Sequence, residues 1–544
     1  MRRKCIFWLL FSGGILLGQR FRMDDPLLRE PAPINVAKVY PRKFSDYYDF
    51  FYSTFGKPGD QNRLKSSPVR AMGTNTLGEP MAGAWWEPRH YYYRMSIEDL
   101  VRGPGNSKPP SDGPWLVVAA KNEGITPGFT IEDVNKRRYF LKFDPASNPD
   151  IATAPDVLVS KFFYALGYYV PENYIVEFLP DRLEVRKGTK LRDRLGKERP
   201  MTRRDITEIL LGVPKRKDGR IRAVASLLLP GSYAGPFRFW GTRKDDPNDI
   251  VPHEHRRDLR GLSLACAWLG HDDSRSINTI DFVVEENGSR FVKHFLIDFG
   301  SALGSATDKA NSPRSGFEYL FEWKPAIVQF ATLGLHVPEW AKARYPAIAS
   351  IGRFEFEKFD PLLWRSEYPN TAFSNRLPDD EFWMAKQIAA FNDDEIQAIV
   401  RTGQYSDPAA ERWLVKCLIQ RRNKIVKAFF PRVLPLDRFQ VKSGTVVFED
   451  LGKPFGVGAP PDLAGSWSLF DNERGRRRGI PTSAGFQIPV ELKDSPSGTY
   501  AVLDISAGSA PDPRISVFLR KDPKSIEIVG IDRTWKQPIV PPAP

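Results

Sequence analysis

Between His271 and Gly300 the chain reads HDDSRSINTIDFVVEENGSRFVKHFLIDFG. Two adjacent acids, Asp272 and Asp273, are followed by Asn278 and by two apolar runs about a tight turn; Asp298 then opens Asp-Phe-Gly. Charge is expensive to desolvate, so acids and an amide at the ends of an apolar hairpin call for something that compensates them. Asn278 and Asp298 are hard oxygen ligands of the kind that suit Mg2+. A divalent cation holding a phosphoryl group is the chemistry such a set would serve. The bland alternative is an Asp/Asn-rich loop stitched by ordinary turn hydrogen bonds.

The elements that would position these residues are readable. Asn287-Gly288 is a two-residue hairpin turn signal, and it returns the chain so that Asn278 and Asp298 reach one end of a sheet. Upstream, HRRDLRGLSLACAWLGH (255–271) puts Leu259, Leu262, Cys266 and Leu269 on one face of a helix. Earlier still come a strand WLVVAA (115–120), a polar loop KNEGITPGFTIEDVNK and a strand RRYFLKF (137–143). ATAPDVLVSKFFYALG (152–167) has helical spacing with Gly167 at its end. Strand-like runs YIVEFL (174–179) and AVASLLLPG (223–231) flank a basic, helix-containing insertion. Residues from about 315 to 432 read as helices, the clearest being SDPAAERWLVKCLIQRRNKIVKAFF, with Ser406 or Asp407 as N-cap and Pro408 in the first turn.

Past Pro435 the pattern switches to short alternating runs, GTVVFED, GSWSLFD, GFQIPVEL, TYAVLDI, RISVFLR and SIEIVGI. Gly, Pro and Asp punctuate them every ten residues or so, which predicts a β-sandwich. A boundary near residue 433 follows, and with it the expectation that a chain ending near Arg432 folds without the β-domain.

The order of strand, Gly-bearing loop, lysine strand, helix, strands, helix, Asp-x4-Asn, hairpin and FLIDFGSALG resembles the atypical kinase superfamily, in its phosphatidylinositol 3-/4-kinase-like and HipA-like branches. The resemblance covers about residues 113–432. In those families the catalytic acid and the metal-binding asparagine stand five apart, a register that fits Asp273 with Asn278 rather than Asp272. The departure lies beside it: His-Asp-Asp followed by Ser274 and Arg275 stands where the lipid-kinase branch has Asp-Arg-His. The resemblance implies an ATP- and Mg2+-dependent phosphotransferase acting on a protein or small-molecule hydroxyl. Asp273 would accept the hydroxyl proton, and Asn278 and Asp298 would hold the metal. Lys142, in YFLKFDP, resembles the lysine that contacts ATP phosphates, where a point-charge ammonium on a rigid strand fixes their position. Gly124, Thr126, Gly128 and Phe129 fall on the loop between the first two strands, where glycines let backbone N–H groups approach phosphate. The acid that pairs with the lysine in the family would be Asp156. Thr153-x-x-Asp156 also reads as a capping box, in which the carboxylate only binds backbone N–H groups.

The implied architecture is α+β, a two-lobed protein-kinase-like fold followed by a small all-β sandwich. Residues 113–231 would form the N-lobe, 232–432 the helical C-lobe and 433–544 the sandwich, after a Pro/Gly/aromatic-rich extension over 19–112. With 544 residues, two or three domains are expected, and 41% hydrophobic with 12% aromatic content excludes general disorder. The formal charge of +13 favours anionic partners; the densest basic run, ERGRRRG (473–479), reads as a solvated surface, and no specific nucleic acid is expected. Three cysteines with no CxxC pair exclude a disulfide framework and a thiolate zinc site. His253 and His255 in DPNDIVPHEHRR read as capping or packing residues more readily than as metal ligands.

The first eighteen residues, MRRKCIFWLLFSGGILLG, combine a basic start with an apolar run of fourteen. Spanning a bilayer takes about 20 residues, so residues 1–18 read as a signal peptide or membrane anchor that would place the chain outside the cytoplasm. Export raises a competing reading, a pseudokinase scaffold presenting its β-domain to an envelope partner where ATP is scarce. The aromatic cluster AWWEPRHYYYR (84–94) reads as an extension packed on a neighbouring domain, and Trp467 and Trp535 as core residues more readily than glycan platforms.

Overall fold

The computed structural model describes residues 19–57, 62, 65, 67–121, 127–192, 197–333, 335–508 and 513–535. The apolar segment 1–18 lies outside them. The chain is mixed α+β.

The extension carries two short helices, α1 (Asp46–Phe51) and α2 (Ile97–Arg102), started by Ser45 and Ser96 as N-caps. Its aromatics are packed. Trp85 and Trp86 lie in the main apolar core, and Trp86 Nε1 donates to the Leu166 carbonyl at 2.8 Å. That approach crosses Gly167, whose φ is +103° and where an added Cβ would stand 2.1 Å from Trp86 Nε1. No other residue fits there.

β1 (Trp115–Lys121), β2 (Gly128–Glu132) and β3 (Arg138–Phe143) form an antiparallel meander. The polar stretch expected to be a loop therefore contains a strand. Phe129 and Ile131 alternate into the core beneath the sheet, and that burial outweighs the polarity of their neighbours. After α3 (Thr153–Ala165) come β4 (Asn173–Phe178) and β5 (Leu183–Val185), then a ribbon of β6 (Lys190–Arg192) and β7 (Glu198–Pro200). α4 (Arg203–Leu210) and β8 (Ile221–Leu227) follow. The sheet order is β4-β8-β3-β2-β1-β5, antiparallel except where β5 lies beside β1.

A second sheet is built from β9 (Ser232–Gly235) and the hairpin β10 (Thr279–Glu286) and β11 (Ser289–Leu296), with α5 (Arg257–Leu269) between them in sequence. Asn287 and Gly288 turn the hairpin with φ of +52° and +77°, the sign that such two-residue turns require. Thr279 pairs with Leu296, so Asn278 and Asp298 emerge at the same end. The helices α6 (Trp323–Ala331), α7 (Thr371–Ser374), α8 (Pro378–Ala389), α9 (Asp393–Arg401) and α10 (Pro408–Phe429) follow. The expected helical run is interrupted: residues 343–370 form neither helix nor strand, and Pro346, Pro361 and Pro369 punctuate them. Asp407, one of the two expected caps, accepts from the Ala409 N–H at 2.8 Å. Among the described residues no helix is long and apolar enough to cross a membrane.

The C-terminal region begins with a hairpin, β12 (Leu436–Lys442) and β13 (Thr445–Asp450). β14 (Ala464–Asp471) and β15 (Arg476–Ala484) precede α11 (Val490–Lys493), and β16 (Tyr500–Ser506), β17 (Arg514–Lys521) and β18 (Ile526–Arg533) end it. Five strands make one antiparallel sheet, β15-β14-β16-β17-β18, and the β12–β13 hairpin shares a core with it through Leu436, Val446, Trp467 and Leu503. The strand expected in GFQIPVEL gives way to α11, which starts after Pro489. Phe21, from the far end of the chain, packs against Phe518 and Tyr500 with ring centroids 5.1 and 6.0 Å away. Trp467 and Trp535 are both buried, so neither offers an exposed platform.

Candidate functional site

Alternation along β3 sends Tyr139, Leu141 and Phe143 into the core and leaves Lys142 on the other face. There its Nζ lies 3.2 Å from Asp156 Oδ2 and 2.8 Å from Asp298 Oδ1. Residues 142, 156 and 298, from a strand, a helix and the turn after a hairpin, thus meet at one ammonium. Burial works against that charge, yet Asp156 and Asp298 hold Lys142 above the ordinary lysine range. The cluster stays open to one side: the Lys142 side chain is 20% exposed and that of Asp298 46%.

Asp156 is not acting as a cap. The α3 N-terminus is satisfied from outside by Asp144, whose Oδ1 accepts from the Ala152 and Thr153 N–H groups at 2.9 Å and whose Oδ2 accepts from Thr153 Oγ1 at 2.6 Å. That leaves Asp156 for Lys142 on one oxygen and for the Phe299 N–H, at 2.8 Å, on the other. Burial raises the Asp156 carboxyl, and Lys142 opposes the rise. Asp144→Ala is expected to destabilise the protein by about 1–3 kcal/mol, because two N–H groups lose their acceptor in a buried place; the midpoint of urea unfolding checks it.

Asp298 takes a left-handed conformation, φ +62° and ψ +63°, as the chain leaves β11 for the turn Phe299–Ser301. Aspartate tolerates this region better than bulkier residues do. Phe299 is wholly buried, its ring 5.3 Å from Phe163 of α3 and 5.8 Å from His271. The turn is thereby seated on the helix that supplies Asp156.

The two adjacent acids go different ways. Asp272 accepts from Asn311 Nδ2 at 3.1 Å and from Ser315 Oγ. Asp273 accepts from Ser301 Oγ at 3.2 Å and forms an ion pair with Arg275, while its carbonyl accepts from Asn278 Nδ2 at 2.7 Å. Burial pushes Asp273 up to about 7 despite Arg275, with Glu367 and Asp272 pushing the same way, and pushes Asp272 up to about 6. Arg275 also meets Asp46 at 3.0 Å and Glu367 at 3.1 Å. His271 is buried and lowered to about 4, so its ring is neutral.

Of the residues expected to approach phosphate, Gly128 pairs with Lys142 across the β2–β3 ladder. Phe129 sits on a strand, not a loop, and its ring is committed to the sheet core beside Phe143; its side chain is therefore not a ligand contact. Gly124 and Thr126 lie outside the described residues. Among the described residues no group of three or more His, Cys, Asp or Glu could hold a metal, so a cation here would rest on the mixed pair Asn278 and Asp298. With its NH2 spent on Asp273, the Asn278 amide has its oxygen left to offer a cation. His253 Nε2 donates to the Asp249 carboxylate at 2.8 Å, and its ring abuts Trp85, a packed support. Sequence reading missed Asp144, Arg275, Ser301, Asp46 and Glu367; Arg275 and Ser301 stood in plain view beside the acids.

No family model matches the chain, and no curated protein matches it in sequence. Among solved structures it is similar to the Helicobacter pylori proinflammatory kinase CtkA, at 12% identity and a TM-score of 0.30 over 57% of this chain and 96% of that one. It is also similar to two structures of the Golgi casein kinase. One is at 11% identity and a TM-score of 0.29, over 75% of this chain and 96% of that one. The other, with Mn/ADP bound, is at 10% identity and a TM-score of 0.25, over 61% and 75%. At these TM-scores the likenesses carry no weight in assigning the chemistry of the site.

Proposed function

We propose that the chain is an ATP- and Mg2+-dependent phosphotransferase of the atypical kinase type, with a hydroxyl group of a protein or small molecule as acceptor. Residues 113–231 and 232–432 would be its two lobes, with the site between them. The observation that carries this reading is Lys142 held between Asp156 and Asp298, in an order of elements that brings Asn278 and Asp298 to one end of a hairpin. Lys142, already placed and charged, would bind phosphate oxygens while Asp156 keeps it in position. Gly128, opposite Lys142, would let the chain beyond β2 approach the same phosphates. Asn278 and Asp298 would hold Mg2+, which neutralises charge on the phosphates. Asp273, turned toward Ser301 and Asn278 where Asp272 turns away, would orient the hydroxyl and take its proton.

Titrating ATP with Mg2+ while following thermal unfolding tests the reading. A ligand that binds only the folded state stabilises it by about 2.7 kcal/mol at a hundredfold excess over Kd. A rise in Tm is expected for the wild type and none for Asp298→Asn, which loses the one anionic oxygen offered to the metal. A wild type indifferent to millimolar nucleotide would remove the reading and leave the scaffold alternative.

A further inference from the structure

Lys161 lies on α3 one turn past Val157, only 9% exposed. Among the described residues no carboxylate pairs with its ammonium and no oxygen accepts from it. Its stem passes Gly103 so closely that a Cβ there would stand 2.7 Å from Lys161 Cγ. Burial acts on the amine unopposed and lowers it to about 8. Asn173 Oδ1, buried nearby, also lacks a donor.

Lys161 and Asn173 line a cleft of about 490 Å³ between α3, the C-terminal turn of α9 and the start of β4. Its walls are apolar at Val157, Ile175 and Ala398, and its charges are Lys161 and Arg401, with no acid on the lining. Arg401 is exposed and meets Glu411 at 3.2 Å. The Lys161 stem is buried while its ammonium opens on the cleft, where an incoming anion would supply the partner it lacks.

We propose that this cleft binds a small organic anion, a carboxylate or phosphate monoester on an apolar body, with Lys161 and Arg401 on the charged group. Asn173 connects the cleft to the front of α3: its Nδ2 donates at 2.8 Å to the carbonyl of Asp156, the residue that steadies Lys142. A ligand pressing on α3 and Asn173 therefore acts on the Lys142 cluster from behind. An effect on turnover rests on the phosphotransfer reading; binding does not.

Phenyl phosphate and benzoate, titrated into the full chain by calorimetry, test the site, with benzyl alcohol as the uncharged control. Both anions are expected to bind saturably in the wild type and in Lys142→Ala, and at least tenfold more weakly in Lys161→Met; benzyl alcohol should not bind. Lys161→Met should also unfold at a higher temperature, since it removes a charge that its partly buried setting disfavours. Should that variant not fold, the rate at which acetic anhydride acetylates Lys161 at pH 8, read by mass spectrometry, replaces it, and phenyl phosphate is expected to slow the reaction. Anions that bind Lys161→Met as tightly as the wild type, or that fail to protect Lys161, would overturn the proposal. Anion binding without any Mg–ATP shift would sink the phosphotransfer reading alone, and the reverse would sink this site alone.

Discussion

Asp273→Asn is expected to slow phosphotransfer about 10²- to 10⁴-fold, the usual worth of a positioned general base, while leaving nucleotide affinity nearly unchanged. Asparagine keeps the shape of the side chain and its contact with Ser301 but cannot accept a proton. Because burial raises Asp273 to about 7, the base is largely protonated in mild acid, and wild-type turnover should fall as pH drops below about 7. That limb should vanish in the variant. Stability moves the other way. A carboxyl raised in the folded state favours folding most when protonated, so its contribution is fully present below the ordinary value near 3.8 and is lost as pH rises through about 7. Activity lost at pH 6 with an undiminished circular dichroism signal would therefore be titration, not unfolding. Asp272→Asn should do far less, because Asp272 is occupied by Asn311 and Ser315. If Asp273→Asn works as fast as the wild type and Asp272→Asn is dead, the base stands one residue earlier.

The parts of this site that were legible in sequence are those positioned by local periodicity. Alternation puts Lys142 opposite the apolar face of β3, and the Asn287-Gly288 turn sets the register that brings Asn278 level with Asp298. Asp156 was visible as an acid early in a helix, but Thr153-x-x-Asp156 fits a cap equally well on spacing alone. What decides between the two is Asp144, which caps the helix from the preceding strand's end and so leaves Asp156 for Lys142. Phe129 was misplaced because a glycine-rich, polar context outvoted a two-residue alternation that only the neighbouring strands make evident. The distant partners of Arg275 left no such sign: Asp46 lies 229 residues away, in an extension with few regular elements, and Glu367 stands in the irregular stretch before α7. Long-range ion pairs leave no periodic trace.

The same limit applies to the junction near residue 433. The change in composition there is plain and predicts independent folding of what precedes it, yet buried charges cross it. Asp437 on β12 accepts from Lys386 Nζ of α8 at 2.6 Å, from Tyr91 Oη at 3.0 Å and from Arg533 at 3.3 Å. Burial would raise its carboxyl, and Lys386 and Arg533 hold it below the ordinary range instead. Removing one member of such a buried pair costs about 3–5 kcal/mol, since the other charge stays desolvated. Asp437→Ala is expected near the lower end, because Lys386 keeps Glu79 as a partner. Truncation after Arg432 should do more. It strips Asp437 from Lys386, takes Trp535 out of the helical core and leaves Phe21 without the sheet that buries it. The expected result is a chain that aggregates or unfolds without a cooperative transition, read by urea denaturation against the full-length protein. If residues 19–432 instead unfold cooperatively at the full-length midpoint, the boundary seen in composition is also the energetic one. The Asp437 cluster would then be a contact between finished domains, not part of what holds either of them together.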